Sequence, residues 1–355
     1  MKIHILSTLR NYDKNYLKQD IFSGIIIAAV SIPISMGYAQ ISGLPAVYGL
    51  YGSVLPILLF AIFSTSRQFI FGVDAAPAAL AGSALLTLGI TPGSREALNY
   101  VSALALFTGL WLLFFYFIRA DRMVGFISTP VMGGFISGIA LTIILMQIPK
   151  LMGSSAGSGE IIELAEYSAA RNIHWLSLLL GIITLLVIRL CKKFIPKFPI
   201  AILVMFLAVL CTIFLHIDTY GVQLLASVNR GLPALTFPDF SQIDLTQTAG
   251  RGLMISLVVM AETLLAENNF AFRNGYPLED RQEILACAAG NIASAIVGSC
   301  PVNGSISRTS MNEKYSGHSQ VVSITAGITM TFLLLFFTGF IGFLPVPILT
   351  AIVIS

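Results

Sequence analysis

The chain has 355 residues and a net charge of +3; 56% of it is hydrophobic, only 10% is charged, and its mean hydropathy is +0.87. A soluble domain carries about 25% charged residues, so this composition excludes an ordinary water-soluble protein and describes a polytopic membrane protein. The excess charge is too small to draw the chain to nucleic acid, and its Lys and Arg residues read instead as topology signals.

Residues 1–19, MKIHILSTLRNYDKNYLKQ, lack the apolar core and cleavage site of a signal peptide. They read as a cytosolic amphipathic lead-in to a transmembrane domain over 20–355. A spanning helix needs about 20 mostly apolar residues. The apolar runs predict spans at 20–38, 46–62, 74–90, 100–118, 124–147, 174–190, 199–216, 251–269, 283–298, 304–313, 319–343 and from 345 onward. The third and tenth are short and rich in Gly, Pro or Ser. With the N-terminus inside, Lys2, Arg10, Lys14, Lys18, Arg67, Arg119, Arg122, Arg189, Lys192, Lys193, Lys197, Arg273, Arg281 and Lys314 fall inside. Arg95, Lys150, Arg171, Arg230 and Arg251 fall outside, with Arg308 set apart. That bias satisfies the positive-inside rule. The outer loops carry Glu160, Glu163, Glu166, Asp218, Asp239 and Asp244, which weigh little in it. The last segment, FLPVPILTAIVIS, stops within an apolar run and is expected to begin a longer helix. The four cysteines have no metal-type spacing and read as small buried hydrophobes. His4, His174, His216 and His318 fall at span ends or loops, with no metal or catalytic constellation around them.

The stretch SCPVNGSISRTSMNEKY, Ser299 to Tyr315, stands where a spanning helix is expected, yet Pro301 and Gly304 break it. It reads as a half-helix that starts at membrane depth and turns unpaired N–H groups toward something negative. Its donors are the backbone from Gly304 to Ser307 and the Ser305 and Ser307 hydroxyls, with the fixed charge of Arg308 in the first turn or so. The competing reading of Arg308 is a side chain that snorkels or pairs with Glu313. FGVDAAPAALAGSALL, Phe71 to Leu86, is its counterpart. Here the donors come from Ala75 and Ala76, ahead of Pro77, with Asp74 at the N-cap position. Asp74 is either a plain cap or a group that titrates or pairs with Arg308. Glu262 lies deep in the eighth span, at a cost of about 2.5–3.5 kcal/mol if charged at the bilayer centre. It reads as a proton carrier, a partner of Arg308 or a sodium ligand. Glu267 is expected to face elsewhere and, with Asn268 and Asn269, to mark the cytosolic end. The Asn-x-Ser match at Asn303 lies inside the proposed site and is not read as glycosylated.

GLPAVYGLYGSVLP (Gly43 to Pro56) and STSRQFIFGVDAA (Ser64 to Ala76) resemble the SulP/SLC26 anion-transporter family. The run from Pro130 to Gly153 is similar to that family's fifth helix, and Ala261 to Asn312 to its helices eight to ten. The resemblance implies an all-α membrane fold of seven plus seven helices in inverted repeat (UraA/SLC26-like), here ending after about twelve. It further implies a core of spans 1–4 and 8–11, a gate of spans 5–7 and part of 12, and a cytoplasmic STAS domain that these residues do not include. In the family a break in the first helix, here VSIPISMGYAQ, lines the pocket, and Tyr38 matches an often aromatic position; a ring simply packed between helices is the alternative. Glu262 matches an acid linked to proton or sodium coupling, whereas Asp74 departs from many members.

The function expected is secondary active transport of a small anion (sulfate, bicarbonate, chloride or a dicarboxylate), coupled to H+ or to Na+, by elevator-type alternating access. The protein would be multi-pass in the plasma or inner membrane, with a homodimer expected by resemblance and no organic cofactor. The alternatives are a nucleobase–proton symporter of the same fold and a non-transporting scaffold or sensor. The symporter would usually place an acid on the tenth helix, where this chain has Ser and Arg.

Overall fold

In hydrocarbon a backbone N–H or C=O finds no water, so a spanning segment must satisfy these groups internally or against other protein. The computed structural model describes residues 5–10, 12–124, 129–153, 173–195, 199–228 and 230–355, and it meets this demand almost wholly with helices. They are α1 (Leu17–Ile41), α2 (Val47–Tyr51), α3 (Leu55–Phe63), α4 (Ala75–Thr87), α5 (Arg95–Ile118), α6 (Asp121–Val124) and α7 (Thr129–Leu151). There follow α8 (Trp175–Phe194), α9 (Ile200–Leu215), α10 (Leu245–Asn274), α11 (Asp280–Ile296), α12 (Ile306–Lys314), α13 (Val321–Phe336) and α14 (Val346–Ile354). Lys2, His4, Glu160, Glu163, Glu166, Arg171 and Lys197 lie outside the described residues, as do the fifth span's residues 125–128.

Two departures from the predicted spans have local causes. The second is two helices, α2 and α3, separated by a turn at Gly52 to Val54. The break expected in the first is absent: α1 is continuous through Pro33. Proline removes one rung of the helical ladder, and the Ser35 hydroxyl bonds back to the Ser31 carbonyl at 2.6 Å just beyond it.

α10, with 30 residues, is about 45 Å long at 1.5 Å per residue, enough to cross a hydrocarbon layer of about 30 Å with residues to spare. Asp244 caps its start by accepting from the Thr246 and Gln247 N–H groups, and Gly275, at φ 66°, closes its end. By contrast α4 has 13 residues and α12 only 9, so neither spans alone.

α11 packs against α3 and α5, α10 against α5, and α1 against α13. Ala286, Ala288 and Ala293 of α11 are fully buried, and such small side chains let helices approach closely. Phe60, Phe69, Phe71 and Leu104 anchor the apolar cluster of this part. A second cluster, around Met36, Val204, Leu334 and Leu349, joins α1 to α9, α13 and α14. Leu179, Ile182, Leu186 and Leu190 of α8 are exposed, an apolar face suited to lipid.

Three of the cations assigned to the inner side lie near the turn between α10 and α11. Arg273 pairs with Glu313 at 3.1 Å, Arg281 Nε donates to the Tyr116 carbonyl, and Arg67 lies 5.8 Å from the Tyr276 ring centre. The lead-in reaches the same end, where the Leu6 N–H donates to the Ile62 carbonyl at 2.8 Å.

Joining the helices at the centre is a two-residue antiparallel pair, β1 (Phe71–Gly72) with β2 (Asn303–Gly304), in which Phe71 faces Gly304 and Gly72 faces Asn303. A Cβ on Gly304 would overlap the Phe69 ring at Cε1 and stand 3.0 Å from Thr263 Cγ2. Overpacking of this kind costs about 1–3 kcal/mol. Gly304→Ala is therefore expected to lower the thermal unfolding midpoint in detergent by that equivalent; an unchanged midpoint would show that the Phe69 ring yields freely.

Candidate functional site

The β1–β2 pair lies where two helices are interrupted, and side chains satisfy the backbone that helical bonding leaves open. Gln320 Nε2 donates to the Ser66 and Phe69 carbonyls, Asn312 Nδ2 to the Gln68 carbonyl, and the Ile70 N–H to Thr309 Oγ1. Around the second interruption Asn291 clamps Val302 from both sides: its Nδ2 donates to the carbonyl at 3.1 Å and its Oδ1 accepts from the N–H at 2.9 Å. The Ser305 N–H donates across to the Ile70 carbonyl at 2.8 Å. α4 begins three residues after Gly72 and α12 two residues after Gly304, so the two helix starts are held together. Their first-turn N–H groups lack intrahelical acceptors, and each start carries about half a positive charge.

Arg308 is 1% exposed and, among the described residues, is the largest fully buried side chain. Its Nη2 donates to the Val73 carbonyl at 2.7 Å, tying α12 to the residue pair ahead of α4. Its Nε meets no acceptor. It neither snorkels nor pairs with Glu313, which is taken by Arg273. Gly72 makes the approach possible: a Cβ there would stand 3.0 Å from Arg308 Nη1, and φ is 157°. Asp74 occupies the N-cap of α4, but its side chain makes no capping bond. It lies instead among Arg308, Ser305 and the Ala75 N–H.

Glu262 is not the partner of Arg308. Its Oε2 accepts from Asn303 Nδ2 at 2.7 Å. Asn303 Oδ1 accepts in turn from Thr263 Oγ1 at 2.5 Å, and that hydroxyl accepts from the Gly304 N–H at 3.1 Å. An unbroken chain of hydrogen bonds thus runs from the Glu262 carboxyl to the backbone at the head of α12. Sequence reasoning misses the role of Asn303 and Thr263. The only signal for Asn303 is its place between Pro301 and Gly304, and for Thr263 its adjacency to Glu262.

Two cavities meet at Tyr38. One, about 190 Å³, is lined by Tyr38, Ala75, Ala76 and Glu262 together with Ile143 of α7 and Val353 of α14. At about 30 Å³ per water it holds roughly six waters, or a small anion with part of its shell. The second, about 520 Å³, is lined by Tyr38, Ser307, Lys192, Lys314 and Tyr315 among others. Tyr38, Ala75, Ala76, Glu262 and Ser307 therefore face open space. Gly304, Ser305 and Arg308 are buried and line neither cavity, with Ser305 Oγ 3.3 Å from Ser307 Oγ.

A model of the sulfate permease family matches residues 17–355. "Probable sulfate transporter MT1781" of Mycobacterium tuberculosis is 27% identical over 347 residues, which are 97% of this chain and 62% of the relative. The chain thus spans less than two thirds of that protein's length. Murine Solute Carrier 26 family member A9, an anion transporter solved in its inward-facing state, superposes with a TM-score of 0.90 at 21% identity, over 99% of this chain and 62% of that one. The transmembrane domain of the cyanobacterial bicarbonate transporter BicA gives 0.87 at 19% identity, over 97% and 88%. At these identities the two structures establish a shared fold.

The Thr263 hydroxyl serves two partners, and leaving buried polar groups unsatisfied costs about 1–3 kcal/mol. Thr263→Val is expected to lower the unfolding midpoint by that equivalent and Thr263→Ser to restore it; equal midpoints for the two variants would show that the hydroxyl bonds contribute nothing.

Proposed function

The chain belongs to the sulfate permease family, and on that premise we propose that it carries a small oxyanion, sulfate first, across the membrane together with a proton. One observation carries the reading: two interrupted helices have their starts bound together by β1–β2, with a fully buried arginine between them and a small cavity at Ala75 and Ala76. Opposed helix starts attract an anion without presenting a full charge to it. An anion held this way can also leave, as a carrier requires. Desolvation is offset by N–H donors, the Tyr38 and Ser307 hydroxyls and the field of Arg308. Lys192 and Lys314 on the larger cavity draw anions toward Tyr38 and Ser307.

The charge count supports coupling. Asp74, Glu262 and Arg308 lie close enough to act on one another or on Tyr38. With both acids ionised they sum to −1, which opposes an anion; one added proton makes the set neutral. Two unit charges about 8 Å apart at an effective dielectric of about 20 interact by roughly 2 kcal/mol, a factor of about 30 in affinity. Glu262 is the proton's seat in this proposal because it reaches the cavity and its hydrogen-bond chain ends at the head of α12. The relatives' names, sulfate transporters of bacteria and plants, favour sulfate. Movement of a core against a gate formed in part by α7 and α14, a cytosolic N-terminus, and assembly as a homodimer complete the proposal.

The test is sulfate uptake into liposomes containing the full-length protein, beside a uracil control. A hydrogen bond to a charged group is worth about 1.5–3 kcal/mol, so Ser307→Ala is expected to weaken sulfate roughly 10- to 100-fold. Glu262→Gln is expected to keep measurable sulfate affinity and to abolish the pH dependence of uptake. Uptake of uracil in place of sulfate, or a pH profile unchanged in Glu262→Gln, would refute the substrate or the coupling respectively.

A further inference from the structure

Five residues beyond Glu262, about 7.5 Å along α10, Glu267 is 0% exposed. Neither of its carboxyl oxygens meets a hydrogen-bond donor. The group within hydrogen-bonding reach is a second acid, Glu283 of α11, also 0% exposed. Glu283 is well served from its other side. The Ser64 hydroxyl donates to Oε2 at 2.7 Å, and the Thr65 N–H and hydroxyl donate to Oε1 at 2.6 and 2.5 Å.

The neighbours do not balance two charges. Asp280 and Cys287 of α11 face the pair, and so does Tyr276 from the turn between α10 and α11. Of the described arginines at this end, Arg67 lies over the Tyr276 ring, Arg273 contacts Glu313 and Arg281 bonds the Tyr116 carbonyl. Arg119 and Arg122, beside and on α6 where it packs against α10 and α11, are exposed. The charged groups that act on Glu267 are Glu283 and Asp280, both acids. An isolated buried carboxylate is costly, and two sharing one site do not both ionise. Three donors hold the charge on Glu283, which leaves Glu267 as the acid that carries the hydrogen.

We propose that Glu267 and Glu283 bind one proton between them, forming a second proton site at the arginine-rich end of α10, with the Glu267 O–H donating to the Glu283 carboxylate. This hydrogen explains why Glu267 points two acceptors at another acceptor. It joins α10 to α11 and, through Ser64 and Thr65, to the segment that leads into β1. Removing it would place two negative charges in contact and loosen that junction. The site is separate from Glu262, so it stands whether or not Glu262 couples transport.

Infrared spectroscopy of the full-length protein in lipid nanodiscs tests the assignment. At neutral pH the wild type is expected to show a protonated-carboxyl C=O band that Glu267→Gln removes and Glu262→Gln leaves in place. A band that persists in full in Glu267→Gln would overturn the proposal. Thermal unfolding supplies a second reading. The amide introduced by Glu267→Gln can donate to Glu283 as the acid did, so this variant is expected to match the wild-type midpoint at neutral pH. Glu283→Gln, which loses the charge that three donors serve, is expected to lower it. Raising pH until the band vanishes should lower the wild-type midpoint and leave Glu267→Gln unmoved. A large rise in midpoint for Glu267→Gln at neutral pH would mean that two charges already repel there, and would also overturn the proposal.

Discussion

The architecture depends on how a chain may stop being helical at membrane depth. Each interrupted turn frees N–H and C=O groups that lipid cannot satisfy. Here the two interruptions satisfy one another. Phe71–Gly72 and Asn303–Gly304 pair as strands, and the Ser305 N–H extends the bonding to the Ile70 carbonyl. Further groups are met by Gln320, Asn312, Thr309, Thr263 and Asn291, all of them buried. Close approach sets the residue types: Phe69 lies against Gly304 and the Arg308 guanidinium against Gly72. These contacts hold two short helices, neither able to span alone, with their starts together.

The same crossing organises the electrostatics. Arg308 is anchored to the Val73 carbonyl, so its charge is fixed in place, and it acts on Tyr38 at the cavity. Glu262 lies on that cavity and is joined through Asn303 and Thr263 to the Gly304 N–H. A change of charge at the carboxyl is thus connected by hydrogen bonds to the turn that opens α12. The lining that α7 and α14 contribute is apolar at Ile143, Ile144 and Val353. The polar lining at Tyr38 and Glu262 and the apolar lining at Ile143 and Val353 thus share one small cavity.

How far sequence could be read follows from which effects are local. Pro301 and Gly304 in a serine-rich stretch, and Asp74 and Pro77 ahead of another, announce helix starts because capping and backbone restriction act over a few residues. Arg308 stands out since a charge amid apolar runs needs a reason. Its partner is not legible, because Val73 contributes a backbone carbonyl and every residue has one. Asn303 looks like a glycosylation match and is instead the joint between Glu262 and Thr263. Pro33 suggests a break that continuous α1 absorbs with the help of Ser35. Glu267 looks like a polar residue at a helix end, yet it is wholly buried against Glu283, sixteen positions away on another helix.

Composition, the run lengths of apolar residues and the two punctuated stretches were enough to establish a polytopic helical membrane protein with two half-helices, since hydrophobicity and turn chemistry are properties of short segments. Only the tertiary structure decided which buried charge meets which neighbour: Arg308 with Val73, Glu262 with Asn303, Glu267 with Glu283. Those pairings join residues far apart in the chain or on different helices. They depend on the register in which β1 meets β2 and α10 meets α11, and register is set by packing across the whole fold.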